Sequence, residues 1–296
     1  MRNRVFLTII LTAITYGCQR EYELKLEFSS GISVNCILDP DSTFRVKISW
    51  TERIGHSGPF LPVYNAFVEI TEGNTNYTLN GSAGGIYETG IRPVNGKTYQ
   101  VKADVSGYTA IEAKTTIPSP PIATVVQNAG DNTYTITLIN NPHEKNHYWI
   151  YAQSGYYQGV FMAPPIKVFN QSVNTIFTNT LIADKFNREK DTSAQGMDYS
   201  HSYGMRIPDY NITNGTVTFD IKISDGWNRL ERILIVSTDE NLDKYLKTGL
   251  LQRIQKAGGD TPVFMIPISM FTNIENGKGI FGSCSVVSFD FEFSHE

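Results

Sequence analysis

Several common kinds of chemistry have little support in this sequence. Lys and Arg number 25 against 29 Asp and Glu, a formal net charge of −4 with no basic cluster, so the electrostatic footprint of a nucleic-acid binder is missing and that partner class is set aside. No G-x-S-x-G elbow is present, and the Asn276-Gly277-Lys278-Gly279 turn lacks the G-K-[ST] ending and the strand-to-helix setting of a nucleotide loop, which leaves neither a serine-hydrolase nucleophile nor a phosphate loop there to build on. The three cysteines, Cys18, Cys36 and Cys284, lack a histidine nearby in sequence that would activate a thiolate. The apolar run from Val5 to about Tyr16 is short of the roughly 20 residues needed to span a bilayer as a helix. Helical periodicity is scarce as well, and persists over one stretch only.

Strand-forming residues make up much of the rest. Aromatics reach 12%, with 16 Tyr and 16 Phe, and they stand among Thr, Val and Ile in short runs broken by Gly, Pro and Asn. That is an all-β composition with one main helix. Hydrophobic residues at 41% over 296 positions supply one large or two ordinary cores.

Residues 1–18, MRNRVFLTIILTAITYGC, carry two arginines, an apolar core and a small residue before a cysteine, the pattern of a cleaved signal peptide. Gly17-Cys18 resembles a bacterial lipobox, which would make Cys18 the lipidated first residue of the mature chain. Thr15 and Tyr16 depart from the commoner aliphatic and small residues of that motif. Residues 19–31 then form a tether. The sequons at Asn76, Asn80, Asn170, Asn211 and Asn214 read as turn chemistry in a lipoprotein.

From 32 to 117 about seven short segments alternate in polarity, as in KTYQVKADV, where Tyr99, Val101, Ala103 and Val105 share a face. This predicts an N-terminal immunoglobulin/fibronectin-like β-sandwich. Pro118-Ser119-Pro120-Pro121 is a stiff break, so 118–122 is the expected linker. Residues 123–296 are expected to form a second β-sandwich or partly open barrel, with a poorly patterned insertion at 163–208 and a helix over 239–256.

The sharpest chemical motif is His143-Glu144-Lys145-Asn146-His147. On a helix, H-E-x-x-H sets two histidines one turn apart for zinc, with the glutamate as general base. Here Asn140-Asn141-Pro142 is a turn signal and Tyr148-Trp149-Ile150-Tyr151 resumes strand, so the motif falls on a β-β connection and His143 and His147 are expected to hold no metal. Asp39 with Asp41, and Asp184 with Asp191, lack the surrounding pattern of a calcium loop. Cys36 and Cys284 are expected to be buried free thiols, and no cofactor is expected. The densest aromatic cluster runs from Tyr148 to Phe161. Alternation separates Tyr148 and Ile150 from Trp149 and Tyr151, and Tyr156 and Tyr157, beside Gly155 and Gly159, are the expected exposed rings of a binding surface.

The segment 232–282 organises the remainder. Ile233 to Val236 reads as a strand covered on both faces. Ser237 with Glu240 fits a capping box, and Leu242, Tyr245, Leu246, Gly249, Leu250 and Ile254 recur at helical spacing. Gly249 is expected to permit close backbone approach. Asn273 to Gly282, NIENGKGIFG, suggests tight turns with positive φ. The strand, helix, proline-bounded apolar stretch and NIENGKGIFG together resemble the C-terminal signature of a Bacteroidota lipoprotein family catalogued as domain of unknown function 4249. The resemblance implies an outer-membrane lipoprotein, surface-exposed or periplasm-facing, and a TonB-dependent transporter as partner. The leading expectation is a non-enzymatic accessory of such a transporter. The alternatives are a zinc-dependent hydrolase centred on His143, Glu144 and His147, or a surface adhesion module.

Overall fold

Period-2 alternation of large apolar residues sets the architecture, and the burial of the strands follows it. The computed structural model describes residues 28–53, 58–128, 133–158, 166–173, 175–177, 204–208, 212, 215–223, 230–257 and 268–292. The first seven strands are β1 (Ile32–Leu38), β2 (Arg45–Trp50), β3 (Ala66–Glu72), β4 (Thr75–Ser82), β5 (Ile86–Glu88), β6 (Thr98–Val105) and β7 (Ile111–Thr116). They are followed by β8 (Ile122–Gln127), β9 (Thr133–Ile139), β10 (His147–Gln158), β11 (Ile166–Val173), β12 (Thr175–Phe177), β13 (Met205–Pro208), β14 (Thr216–Ile223) and β15 (Leu230–Thr238). Helix α1 (Glu240–Ala257) and strand β16 (Lys278–Glu292) complete the order.

Two cores result. In the first, β1 to β7 wrap around Val34, Val46, Ile48, Val68, Ile70, Tyr99, Val101 and Ile111, and the four alternating residues of β6 all point inward, as its sequence predicts. Buried Tyr hydroxyls there are satisfied: Tyr87 Oη donates to Val63 O at 2.9 Å and accepts from Ala66 N at 2.9 Å, as burial of a phenol requires. In the second, β10, β13, β15 and half of β16 face the four-stranded sheet β12-β14-β9-β8 across Tyr134, Ile136, Leu138, Tyr148, Ile150, Met205, Ile207, Phe219, Ile221, Ile233 and Ile235. The second unit is thus a sandwich, and the molecule is mostly β with one main helix, as expected.

The last strand joins the two. Its first half lies parallel to β1, from Ser33↔Lys278 to Leu38↔Ser283; its second half lies antiparallel to β15, from Thr238↔Cys284 to Leu230↔Glu292. A continuous hydrogen-bonded path therefore runs from β11 at one edge to β7 at the other. Residues 278–283, grouped by sequence with the second domain, complete the first sandwich. Parallel pairing between residues some 245 positions apart leaves no local trace in a sequence, because it needs no turn.

Two expectations near α1 are corrected. Its N-cap is Asp239, whose Oδ1 accepts from Leu242 N at 2.9 Å; Ser237 instead donates to Ser119 O at 2.7 Å. Asp is as good a cap as Ser, and β15 continues through Thr238, so the capping position shifts by two. The close approach is not at Gly249, which faces the Met270 side chain, but at Gly282 of β16, where an added Cβ would stand 2.9 Å from Leu242 Cβ.

The span 163–208 is also more than an inserted loop. Strands β11 and β13 both pair with β10, and β12 pairs with β14. MRIP is too short, and interrupted by Arg206, to announce itself as a strand, yet all four of its residues are buried.

Candidate functional site

The H-E-x-x-H motif lies on the β9-β10 turn and the first residue of β10, as its context predicts, and each of its polar side chains has a structural task or faces outward. Asn141 Oδ1 accepts from His143 N at 3.1 Å, closing the turn, and His143 is exposed. The Glu144 carboxylate accepts from Ser119 N at 3.1 Å and Ser119 Oγ at 2.6 Å. Ser119 O in turn accepts from Ser237 Oγ, so the proline linker is held to the β9-β10 turn by Glu144 and to β15 by Ser237. Ser285 Oγ of β16 bonds Pro118 O at 2.7 Å, so the linker is clamped from both neighbouring strands. Among the described residues no three His, Cys, Asp or Glu side chains converge as a metal site.

His147 belongs to a buried polar cluster that sequence reasoning missed. Asp243 in the first turn of α1 accepts from Arg206 Nε at 2.7 Å, Arg206 Nη2 at 2.8 Å and Trp149 Nε1 at 3.0 Å. Arg206 is 5% exposed and Asp243 3%, so this bidentate pair is fully desolvated and holds only because its hydrogen bonds are complete. Arg206 Nη2 also lies 3.1 Å from His147 Nδ1. An arginine only donates, so Nδ1 accepts and the proton of a neutral ring sits on Nε2, which finds no partner among the described residues. Burial lowers the His147 pKa below 6.5; Asp243 opposes this, while Arg206 and Lys145 add to it. The clue was present: Arg206 between Met205 and Ile207, and an acid beside Leu242 on the inward face of the helix.

Asp239 forms the second joint. Besides capping α1 it accepts from Ser283 N at 3.0 Å and Thr115 Oγ1 at 2.8 Å, so one carboxylate ties the helix to β16 and β7. Burial pushes its pKa up, and those hydrogen bonds pull it back.

NIENGKGIFG is a docking segment for β16. Asn273 Oδ1 accepts from Phe281 N at 3.0 Å and its Nδ2 donates to Phe281 O at 2.8 Å, an amide standing in for a neighbouring strand. Asn276 Nδ2 donates to Ala110 O at 2.9 Å. Asn276 and Gly279 take the expected positive φ, 58° and 105°, and a Cβ on Gly279 would fall 2.1 Å from Val34 O. No phosphate cradle is formed; the glycine lets β16 lie against β1.

Tyr156 and Tyr157 lie within β10 rather than on a turn, opposite Val168 and Lys167 of β11. A bulge between Ser154 and Gly155 re-aims the strand there. Tyr156 is 46% exposed. Tyr157 is tied to the end of β16, where a hydrogen bond from its hydroxyl to Glu292 raises its pKa, and Lys167 pairs with the same carboxylate. Upstream, Tyr148 joins the second core and Trp149 the opposite face, as alternation predicts. Cys36 and Cys284 are buried free thiols, each pushed up to about 12 chiefly by burial. Asp39 closes its own turn by accepting from Asp41 N at 3.0 Å. Cys18 and the pair Asp184 and Asp191 lie outside the described residues.

The family model "Domain of unknown function (DUF4249)" matches residues 19–290. The chain belongs to this family. A search of curated proteins returned no match. A solved chain described as "Cytokine receptor complex - Crystal form 1A" aligns with 71% of this chain and 86% of its own length, at 9% identity and a TM-score of 0.24. The DUF4249 match begins one residue after Cys18 and ends within β16, so it spans both sandwiches and their joints. No helix among the described residues is long and apolar enough to cross a membrane.

Proposed function

We propose that this DUF4249 protein is a non-enzymatic outer-membrane lipoprotein, anchored through Cys18, that serves as accessory to a TonB-dependent transporter and presents the outer end of its second sandwich to it. The observation that carries this is the opposite placement of the two ends of β16. The strand starts beside Ser33, next to the tether, and finishes beside Leu230, next to Tyr156 and Tyr157. Fifteen residues of strand separate these ends by about 45 Å, so a protein held at its N-terminus lifts its aromatic tip clear of the anchor. Confinement to the membrane plane raises the effective concentration of a membrane partner, and a modest interface then suffices. Within the H-E-x-x-H motif, Glu144 is engaged by Ser119 and His147 Nδ1 by Arg206, which weighs against the hydrolase.

Native pull-down from detergent-solubilised outer membranes should recover a TonB-dependent transporter, and Tyr156→Ser should reduce the yield without lowering the melting temperature. Removing 163–208 is not a clean test, since it takes Arg206 from Asp243. Recovery of the lipoprotein alone, with stoichiometric zinc and a peptidase activity lost in Glu144→Gln, would overturn the reading in favour of an enzyme. Recovery of a host or neighbouring-cell surface component instead would favour adhesion.

A further inference from the structure

The end of the first sandwich from which the tether leaves carries an apolar apron. Register places its parts together. Ile32 is opposite Trp50, Trp50 N donates to Leu61 O at 2.8 Å, Ala66 is opposite Val105 at the end of β6, and the rings of Trp50 and Tyr108 are 5.3 Å apart. On this end Phe60 is 61% exposed, Leu61 59%, Tyr64 62% and Phe67 51%. Four large apolar side chains more than half exposed stand within eight positions of the chain, a concentration of exposed apolar area that a soluble surface would bury or disperse. Neither core accounts for them: Val63, between them in sequence, is the residue that turns inward.

We propose that this apron is a lipid-contact surface: Phe60, Leu61, Tyr64 and Phe67 enter the interfacial layer of the bilayer and fix the tilt of the protein on its anchor. This rests on the lipid anchor at Cys18. The occupant is argued from the chain outside the described residues: the nine residues between Cys18 and Phe28 reach at most about 35 Å, and Phe28 enters at this same end, so the anchored face is the one that meets lipid. Phe and Leu supply buried apolar area, while Tyr is suited to the headgroup boundary, the mix found where proteins sit in a membrane interface. One apron of this size adds orientation to an acyl anchor without replacing it.

The test is quenching of Trp50, which borders the apron, by acyl chains brominated near the headgroup. Purified lipidated protein is reconstituted into phosphatidylethanolamine/phosphatidylglycerol vesicles, with a Trp50→Phe variant to isolate the signal. The wild type should show Trp50 quenching that persists at high salt, and Phe60→Ser/Leu61→Ser/Tyr64→Ser should lose most of it while still floating with the vesicles. Flotation without Trp50 quenching in the wild type, or equal quenching in the triple variant, would refute the apron and leave the anchor standing. If the protein does not float, the anchor is wrong, and the chain starting at residue 19 decides the apron by itself. At high lipid, partition of that chain should fall by roughly tenfold or more in the triple variant, and unchanged partition refutes the proposal. A vesicle-free dimer that the triple variant converts to monomer would make the apron a self-interface and likewise overturn it.

Discussion

The two sandwiches are built on different terms. The first packs around hydrocarbon and tyrosine, and its charged pairs, such as Lys102 with Asp104, sit in water with both side chains close to half exposed. The second encloses Arg206, Asp243, His147 and Glu231, with Glu231 accepting from the buried Tyr134 hydroxyl. An apolar core tolerates variation in detail, whereas a buried ionic cluster tolerates one arrangement and penalises every other. The difference suits the proposed roles, in which the first unit is the mount and the second holds its strands in fixed positions behind a partner-facing end.

The largest expected effect removes the charge that the second unit depends on. Asp243→Ala strands the Arg206 guanidinium and should destabilise by about 3–5 kcal/mol, while Asp104→Ala in the first unit should cost less than about 0.5; equal denaturant midpoints for the two would erase the contrast. Next comes the seam. Gly279→Ala meets Val34 O and an unfavourable φ and should cost about 3 kcal/mol, and because β16 belongs to both units, a single shared transition should move. Two separate transitions, with only one displaced, would mean the sandwiches unfold independently. Asn273→Ala, which leaves the Phe281 amide and carbonyl without their partner, should cost about 1–3 kcal/mol.

The smallest effect is in pH. The His147 pKa is lowered in the folded state, so the unfolded chain takes up a proton that the native one refuses. Stability from this group is therefore complete above pH 6.5 and falls as pH drops below it, by at most about 1.4 kcal/mol per unit. His147→Gln should flatten that slope between roughly pH 6.5 and 5, above the range where carboxylates titrate; an unchanged slope would place the titration elsewhere.

What was legible in the sequence follows from range. Alternation in β6 and helical spacing in α1 are local, and both the strand faces and the helix extent, 239–256 against Glu240–Ala257, could be read directly. The turn character of H-E-x-x-H was legible from Asn140-Asn141-Pro142. The parallel seam between β1 and β16, the reach of Arg206 to Asp243 and the pairing of β11 and β13 with β10 depend on contacts between distant segments and left only fragments: a glycine that must be glycine, an arginine among buried apolar residues. Tyr156 and Tyr157 were singled out as exposed rings; Tyr156 is one, Tyr157 is half-buried, and both lie on a bulged strand and not on a turn.

The central claim is that the molecule has a lipid end and a partner end, and photocrosslinking in intact cells tests it most directly. With a photoreactive phenylalanine at position 60 or at position 156 of the full-length protein, the account predicts lipid adducts from position 60 and a transporter-sized protein adduct from position 156. Protein adducts from position 60 together with none from position 156 would contradict it.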